Sequence, residues 1–138
     1  MNVGLSSQRD LAHLRHELLT RINHVLGFTE MQIEDARENG LLDRIPALAE
    51  INAGGRALLA IIEEELASVS GFSDLTRLEA RIASEAGTTL IQARELADQL
   101  RASGRQSMSE EIGLVSSALE SLLSLAHEME SPPEQVRK

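Results

Sequence analysis

Residues Arg15 to Met31, RHELLTRINHVLGFTEM, decide how this chain is read. Leu18, Ile22, Val25 and Thr29 recur in it at steps of three and four, the period of an α-helix that buries one stripe. The pattern runs outward in both directions, through Leu11 and Leu14 before it and Ile33 and Ala36 after it. Ser6 and Ser7, with Asp10 three residues after Ser7, read as the helix start. No proline interrupts the pattern, and Asn39-Gly40 ends it with the residue that a left-handed cap needs. A helix of about 30 residues would be ~45 Å long. At about 100° per residue, His16 lies about 200° from both Leu14 and Leu18, so the spacing predicts an imidazole facing water.

Composition agrees with helices. Hydrophobic residues make up 42% of the 138, yet aromatics are only 1%: two Phe, no Trp and no Tyr. Strands favour aromatic and β-branched residues, so a sandwich or barrel is disfavoured. The length suits one domain with one continuous core. A formal net charge of −9 argues against nucleic acid and against an anionic membrane surface as partners. Without cysteine there is neither a disulfide nor a thiolate metal site. The N-terminal MNVGLSSQRD has no basic segment followed by an apolar run, and no uninterrupted apolar stretch approaches the ~20 residues of a membrane span. The expectation is an acidic, cytoplasmic, all-α domain.

Three further helices follow. Leu41 to Ile45 connect, and Pro46 suits the first turn of a second helix carrying Leu48, Ile51, Gly55, Leu58, Ile62, Leu66 and Val69. Gly54-Gly55 inside it costs roughly 1 kcal/mol per glycine relative to Ala, which reads as close helix packing rather than as a smooth surface for a partner. Ser70 to Asp74 turn, with Ser73 the expected cap of a third helix bearing Leu75, Leu78, Ile82, Ala86, Leu90, Ala93, Leu96 and Leu100. After Ser103-Gly104, Ser107 with Glu110 reads as a capping box for a fourth helix carrying Ile112, Val115, Leu119, Leu122, Leu125 and Met129. Ser131-Pro132-Pro133 stops it, and residues 131–138 read as a tail or linker. Short connections predict an antiparallel four-helix bundle made of two helical hairpins, 6–69 and 73–130.

The hairpins repeat. A shift of 64 positions lays Leu14 on Leu78, Leu18 on Ile82, Leu26 on Leu90, Gly40 on Gly104, Ile51 on Val115 and Leu58 on Leu122. Polar residues do not follow: His16 meets Ala80, Glu17 meets Arg81 and Asn23 meets Gly87. The second hairpin keeps the core pattern, and the surface centred on His16 exists only in the first.

A water-facing imidazole, when neutral, can act as a nucleophile or carry a proton. Glu17 is adjacent and could hold the ring or take its proton, and Thr20 is one turn on, on the same face. His16-Glu17 opens an HExxH pattern, but Thr20 stands where the second His must be. His13 and His16 could share a zinc ion with Glu17 but lack a fourth ligand, and His24 and His127 have no partners at ligand spacing. No metal and no cofactor are expected. There is no phosphate-binding glycine loop.

Taken whole, HELLTRINHVLGFTEM resembles the phosphoacceptor box of sensor histidine kinases, whose usual form is close to HELRTPLNAIIGYSEML. His16, Glu17, Leu18, Thr20, Asn23, Gly27, Glu30 and Met31 are identical to it; Ile22, Val25, Leu26, Phe28 and Thr29 are similar. INAGGRALLAIIEEEL resembles the second helix of the same dimerisation and phosphotransfer domain, so the likeness spans about Leu11 to Leu66. It implies that His16 accepts a phosphoryl group, that Glu17 is the acid/base, and that Thr20 helps to dephosphorylate the partner. That partner would be the receiver domain of a response regulator, meeting the chain at Leu19 and Asn23. The family's hairpin dimerises into a four-helix bundle. Here the chain would supply both hairpins, as a monomeric pseudo-dimer or as a homodimer.

Two departures stand out. Arg21 replaces the family's proline, and the ATP-binding boxes do not occur in these residues. A phosphoryl group would therefore come from another protein, such as a histidine kinase acting in trans. The alternatives are a docking or dimerisation scaffold without chemistry, and a fragment of a larger kinase.

Overall fold

The computed structural model describes residues 8–66 and 72–128, with side chains from 11 and from 74 onward. Four helices form where the apolar period predicts them: α1 (Gln8–Glu38), α2 (Ile45–Glu65), α3 (Phe72–Ala102) and α4 (Gln106–Glu128). A short 3₁₀ turn at Leu42–Arg44 leads into α2, where Pro46 occupies the first turn, where no helical N–H partner is lost.

α1 packs on α2, α2 on α3, α3 on α4, and α4 returns to α1, which closes a ring of four. The contacts step along neighbouring helices in opposite order. Asn52 and Gly55 of α2 meet Thr29 and Leu26 of α1. Ser121 and Glu111 of α4 meet Arg21 and Gln32 of α1. Glu65 and Gly54 of α2 meet Arg81 and Thr89 of α3. This is the up-and-down bundle that short connections favour.

The predicted stripes are the core. Leu18, Ile22, Val25, Leu48, Ile51, Leu58, Ile62, Ile82, Leu100, Ile112, Leu119 and Leu122 are wholly buried. Leu11, Ile33 and Leu125 pack against its edge. Burial of this kind, rather than intrinsic propensity, holds such helices.

The repeat is structural. α1 and α3 each have 31 residues, and α3 begins and ends 64 positions after α1. Both close with the same cap. Gly40 and Gly104 have φ of 72° and 81°. The Leu41 N–H reaches the Ala36 carbonyl at 2.8 Å, and the Arg105 N–H reaches that of Leu100 at 2.8 Å. Gly40 and Gly104 donate to Arg37 and Arg101 at 3.3 and 3.1 Å, which completes the paired bonds of a Schellman cap. Buried polar residues coincide in one place, Asn52 and Ser116. An ion pair also repeats with its signs exchanged: Glu30–Arg56 in the first hairpin, Arg94–Glu120 in the second.

Several boundaries differ from expectation. α4 begins at Gln106, and the Arg105 carbonyl accepts the first helical bond, so Arg105 is the cap and Ser107 sits inside the first turn. α3 begins at Phe72, which places Ser73 within the helix rather than ahead of it. Ser6, Ser7, Val69, Met129 and the 131–138 tail lie outside the described residues. By length and mean hydropathy alone Leu42–Glu65 could cross a membrane, although charged residues such as Glu50 and Arg56 interrupt it, as the sequence reading holds. In this fold its apolar side chains serve the core, with Leu48, Ile51, Leu58 and Ile62 wholly buried.

The two glycines of α2 are packing positions. A Cβ on Gly54 would overlap the Thr89 hydroxyl, and one on Gly55 would stand 2.9 Å from Leu26 Cδ2. Their absence of side chain lets α3 and α1 approach α2 closely.

Candidate functional site

α1 is helical without a break from Gln8 to Glu38 because its apolar stripe is continuous and Arg21, unlike proline, keeps its N–H and does not clash with the preceding turn. The turn that bears His16 is buried on one side only. Leu14 and Leu18 enter the core, while Arg15 and His16 are exposed. The His16 ring makes no hydrogen bond to any described residue.

A helical stripe runs away from His16 along the surface. Asn23 and Gly27, seven and eleven residues on, fall within about 20° of it. Both are exposed, and nothing stands within 4 Å of where a Gly27 Cβ would be. Thr20, about 40° away, is half-buried, and its Oγ1 donates to the His16 carbonyl at 2.9 Å. Leu19 lies about 60° toward α2, half-buried at the edge of the core. The structure thus gathers His16, Thr20, Leu19 and Asn23 on the outward part of α1, with Leu19 on its α2 side and Thr20 on its α4 side.

Glu17 is elsewhere. It lies about 100° from His16 in the other direction, toward α4. Its Oε1 accepts a bond of 2.6 Å from Arg21 Nη1, which also donates to the Glu17 carbonyl at 3.0 Å. Arg21 Nε donates to Ser121 Oγ of α4 at 2.9 Å. The two charged side chains are 31% and 27% exposed, so this pair is screened less than a fully solvated one. Sequence reading noted Arg21 only as a missing proline. Its role as a tether appears once α4 is known to lie beside α1.

His13 is exposed one turn before His16, whereas His24 and His127 stand apart from this group. The His24 ring packs against Phe28, centroids 6.3 Å apart. His127 lines an open depression of about 510 Å³ between α3 and α4, with Glu79, Ala83, Leu123, Ser124 and Glu128. No three His, Asp or Glu side chains converge as metal ligands among the described residues.

Polar groups inside the bundle form a second cluster that the sequence did not flag. Asn52 Nδ2 donates to Thr29 Oγ1 at 2.8 Å, Thr29 donates to the Val25 carbonyl at 2.8 Å, and Arg56 Nε donates to Asn52 Oδ1 at 2.8 Å. Gln32 is wholly buried and donates to Glu111, while its Oε1 and the Ser116 hydroxyl are buried without a partner. Thr29, a polar residue at a core step of the apolar stripe, is the sign of this cluster in the sequence, with Gln32 three residues on.

No family model matches the chain, and neither a curated protein nor a solved structure matches it.

Proposed function

We propose that this chain is a histidine phosphotransfer module of two-component signalling. It would exchange a phosphoryl group between His16 and the aspartate of a receiver domain. One observation carries the reading: the His16 imidazole stands exposed and unbonded on a stripe with Thr20, Asn23 and Gly27, all four identical to the box that the stretch resembles. The two-hairpin ring supports it further, because it supplies within one chain the bundle that the family assembles from two.

In the transfer, a ring nitrogen of His16 attacks the phosphorus of the aspartyl phosphate. The N–P bond forms as the P–O bond to the receiver carboxylate breaks, and the carboxylate leaves as an anion. The proton on the opposite ring nitrogen passes to a base or to water. An exposed ring without an internal partner allows the in-line approach that this displacement needs. The chain would act in the cytoplasm, with its receiver docked over Leu19 and Asn23.

Incubation with a phosphorylated receiver should place an acid-labile, base-stable phosphate on the wild-type chain. His16→Gln should carry none, and label that persists in this variant rules the assignment out. Thr20→Ala should keep His16 labelling and slow loss of phosphate from the receiver by about tenfold or more, within the range of a positioned polar group in proton or water handling.

A second reading, a docking scaffold without chemistry, is favoured by one contact: Glu17 is bound to Arg21 rather than free beside His16. Receiver binding that survives His16→Ala, with no phosphate on the wild type, would establish it.

A further inference from the structure

The bonds around Arg21 carry an inference about how the site is set, and it rests on the phosphotransfer reading. We infer that Arg21 is a positioning residue that holds the Glu17 carboxylate away from His16, and that its bond to Ser121 lets the second hairpin govern that hold.

Three contacts converge on one guanidinium. Nη1 takes the Glu17 carboxylate at 2.6 Å and the Glu17 carbonyl at 3.0 Å, and Nε reaches Ser121 Oγ at 2.9 Å. A guanidinium presents its donors as a rigid planar fork, so fixing Nε on α4 also fixes the direction of Nη1. The carboxylate is thereby committed to the α4 side of α1. His16 projects about 100° around the helix from it, into solvent. Residue 17 is next to residue 16 in sequence, and a glutamate has the reach to turn back toward the ring once released. The tether decides which of the two it does.

The repeat makes this a property of the assembled bundle. Ser121 corresponds to Ala57 under the 64-residue shift, and Arg21 corresponds to Glu85. The α2–α3 contact has no such relay at the corresponding place, since an alanine cannot accept the bond. The half of the chain without a phosphoacceptor thus supplies the acceptor atom that orients the half with one. Any movement of α4 that breaks the Ser121 bond would loosen the direction of that hold and make release of Glu17 toward His16 easier.

The chemical consequence concerns one proton. With phosphoramidate as a small donor, a ring nitrogen of His16 bonds to phosphorus as the donor P–N bond breaks and ammonia leaves. The proton on the opposite ring nitrogen then goes to water while Glu17 is tethered, and to the Glu17 carboxylate when it is released.

The test is the labelling rate of the full chain by phosphoramidate in a double-mutant cycle. Arg21→Met should raise the rate on the order of tenfold, short of the ~100-fold or more that a fully preorganised proton acceptor contributes. Ser121→Ala should raise it by a smaller factor in the same direction. Arg21→Met combined with Glu17→Gln should label at the rate of Glu17→Gln alone. A role for Arg21 in holding the helices together would change the rate equally in both backgrounds. Equal change, or no change, overturns the inference while leaving His16 as acceptor. Absence of label in every variant, or label in His16→Gln, overturns the phosphotransfer reading itself. Thermal melts of each variant confirm that the rates compare folded chains.

Discussion

The described glycines inside the helices divide into two kinds, and the difference is measurable residue by residue. Gly54 lies where a Cβ would overlap the Thr89 hydroxyl, with Thr89 Cγ2 and Cβ at 3.0 and 3.1 Å. Gly54→Ala should therefore destabilise the bundle by about 1–3 kcal/mol, the usual cost of overpacking a fitted contact. Thr89→Ala in the same chain should recover part of that loss, and denaturant midpoints of the single and double variants check both. Gly27 is equally helical but faces open space. Gly27→Ala should instead stabilise by roughly 0.5–1 kcal/mol, because alanine loses less conformational freedom in a helix. Thr29 gives a third case. It accepts from Asn52 in a wholly buried position, so Thr29→Val removes the partner and keeps the volume. The stranded Asn52 amide should cost about 1–3 kcal/mol in chemical denaturation.

At the scale of elements, helix period was legible almost completely, since burial of one stripe follows directly from spacing. All eight apolar positions read for α3 are buried. Helix starts were read less well. Ser73 and Ser107 look like caps, yet α3 and α4 begin one residue earlier than each, because local capping preference yields to where the core stripe begins. The exposure of His16 was also legible, being a matter of angle. The tether on Glu17 was not, because it depends on Ser121, a hundred residues away in sequence. The replaced proline has a structural meaning at this same scale. α1 is an unbroken helix of 31 residues, and Arg21 sits well inside it. Arg21→Pro, which restores the residue of the resembled box, removes an internal backbone bond and crowds the Glu17 carbonyl. It should lower stability by ~3 kcal/mol or more, seen as a reduced thermal midpoint and reduced helicity.

For the whole molecule, the question is whether the first hairpin could build a bundle with a second copy of itself. The repeat says what such a pairing would bring together. Where Glu65 now meets Arg81, it would meet the position equivalent to Arg81, which is Glu17, so two carboxylates would replace an ion pair. Where Arg21 now bonds Ser121 it would meet Ala57, and where Gln32 donates to Glu111 it would meet Ala47. Gly54, fitted to Thr89, would meet Val25. The faces between hairpins thus fit each other, and that of the first hairpin does not fit a copy of itself. A fragment of residues 1–69 should remain largely unfolded at micromolar concentration, as should a fragment of residues 70–138. Mixed in equal amounts, they should regain helical circular dichroism together and sediment as a one-to-one complex. The prediction fails if the 1–69 fragment alone forms a stable helical dimer, because the self-pairing that these contacts forbid would then exist.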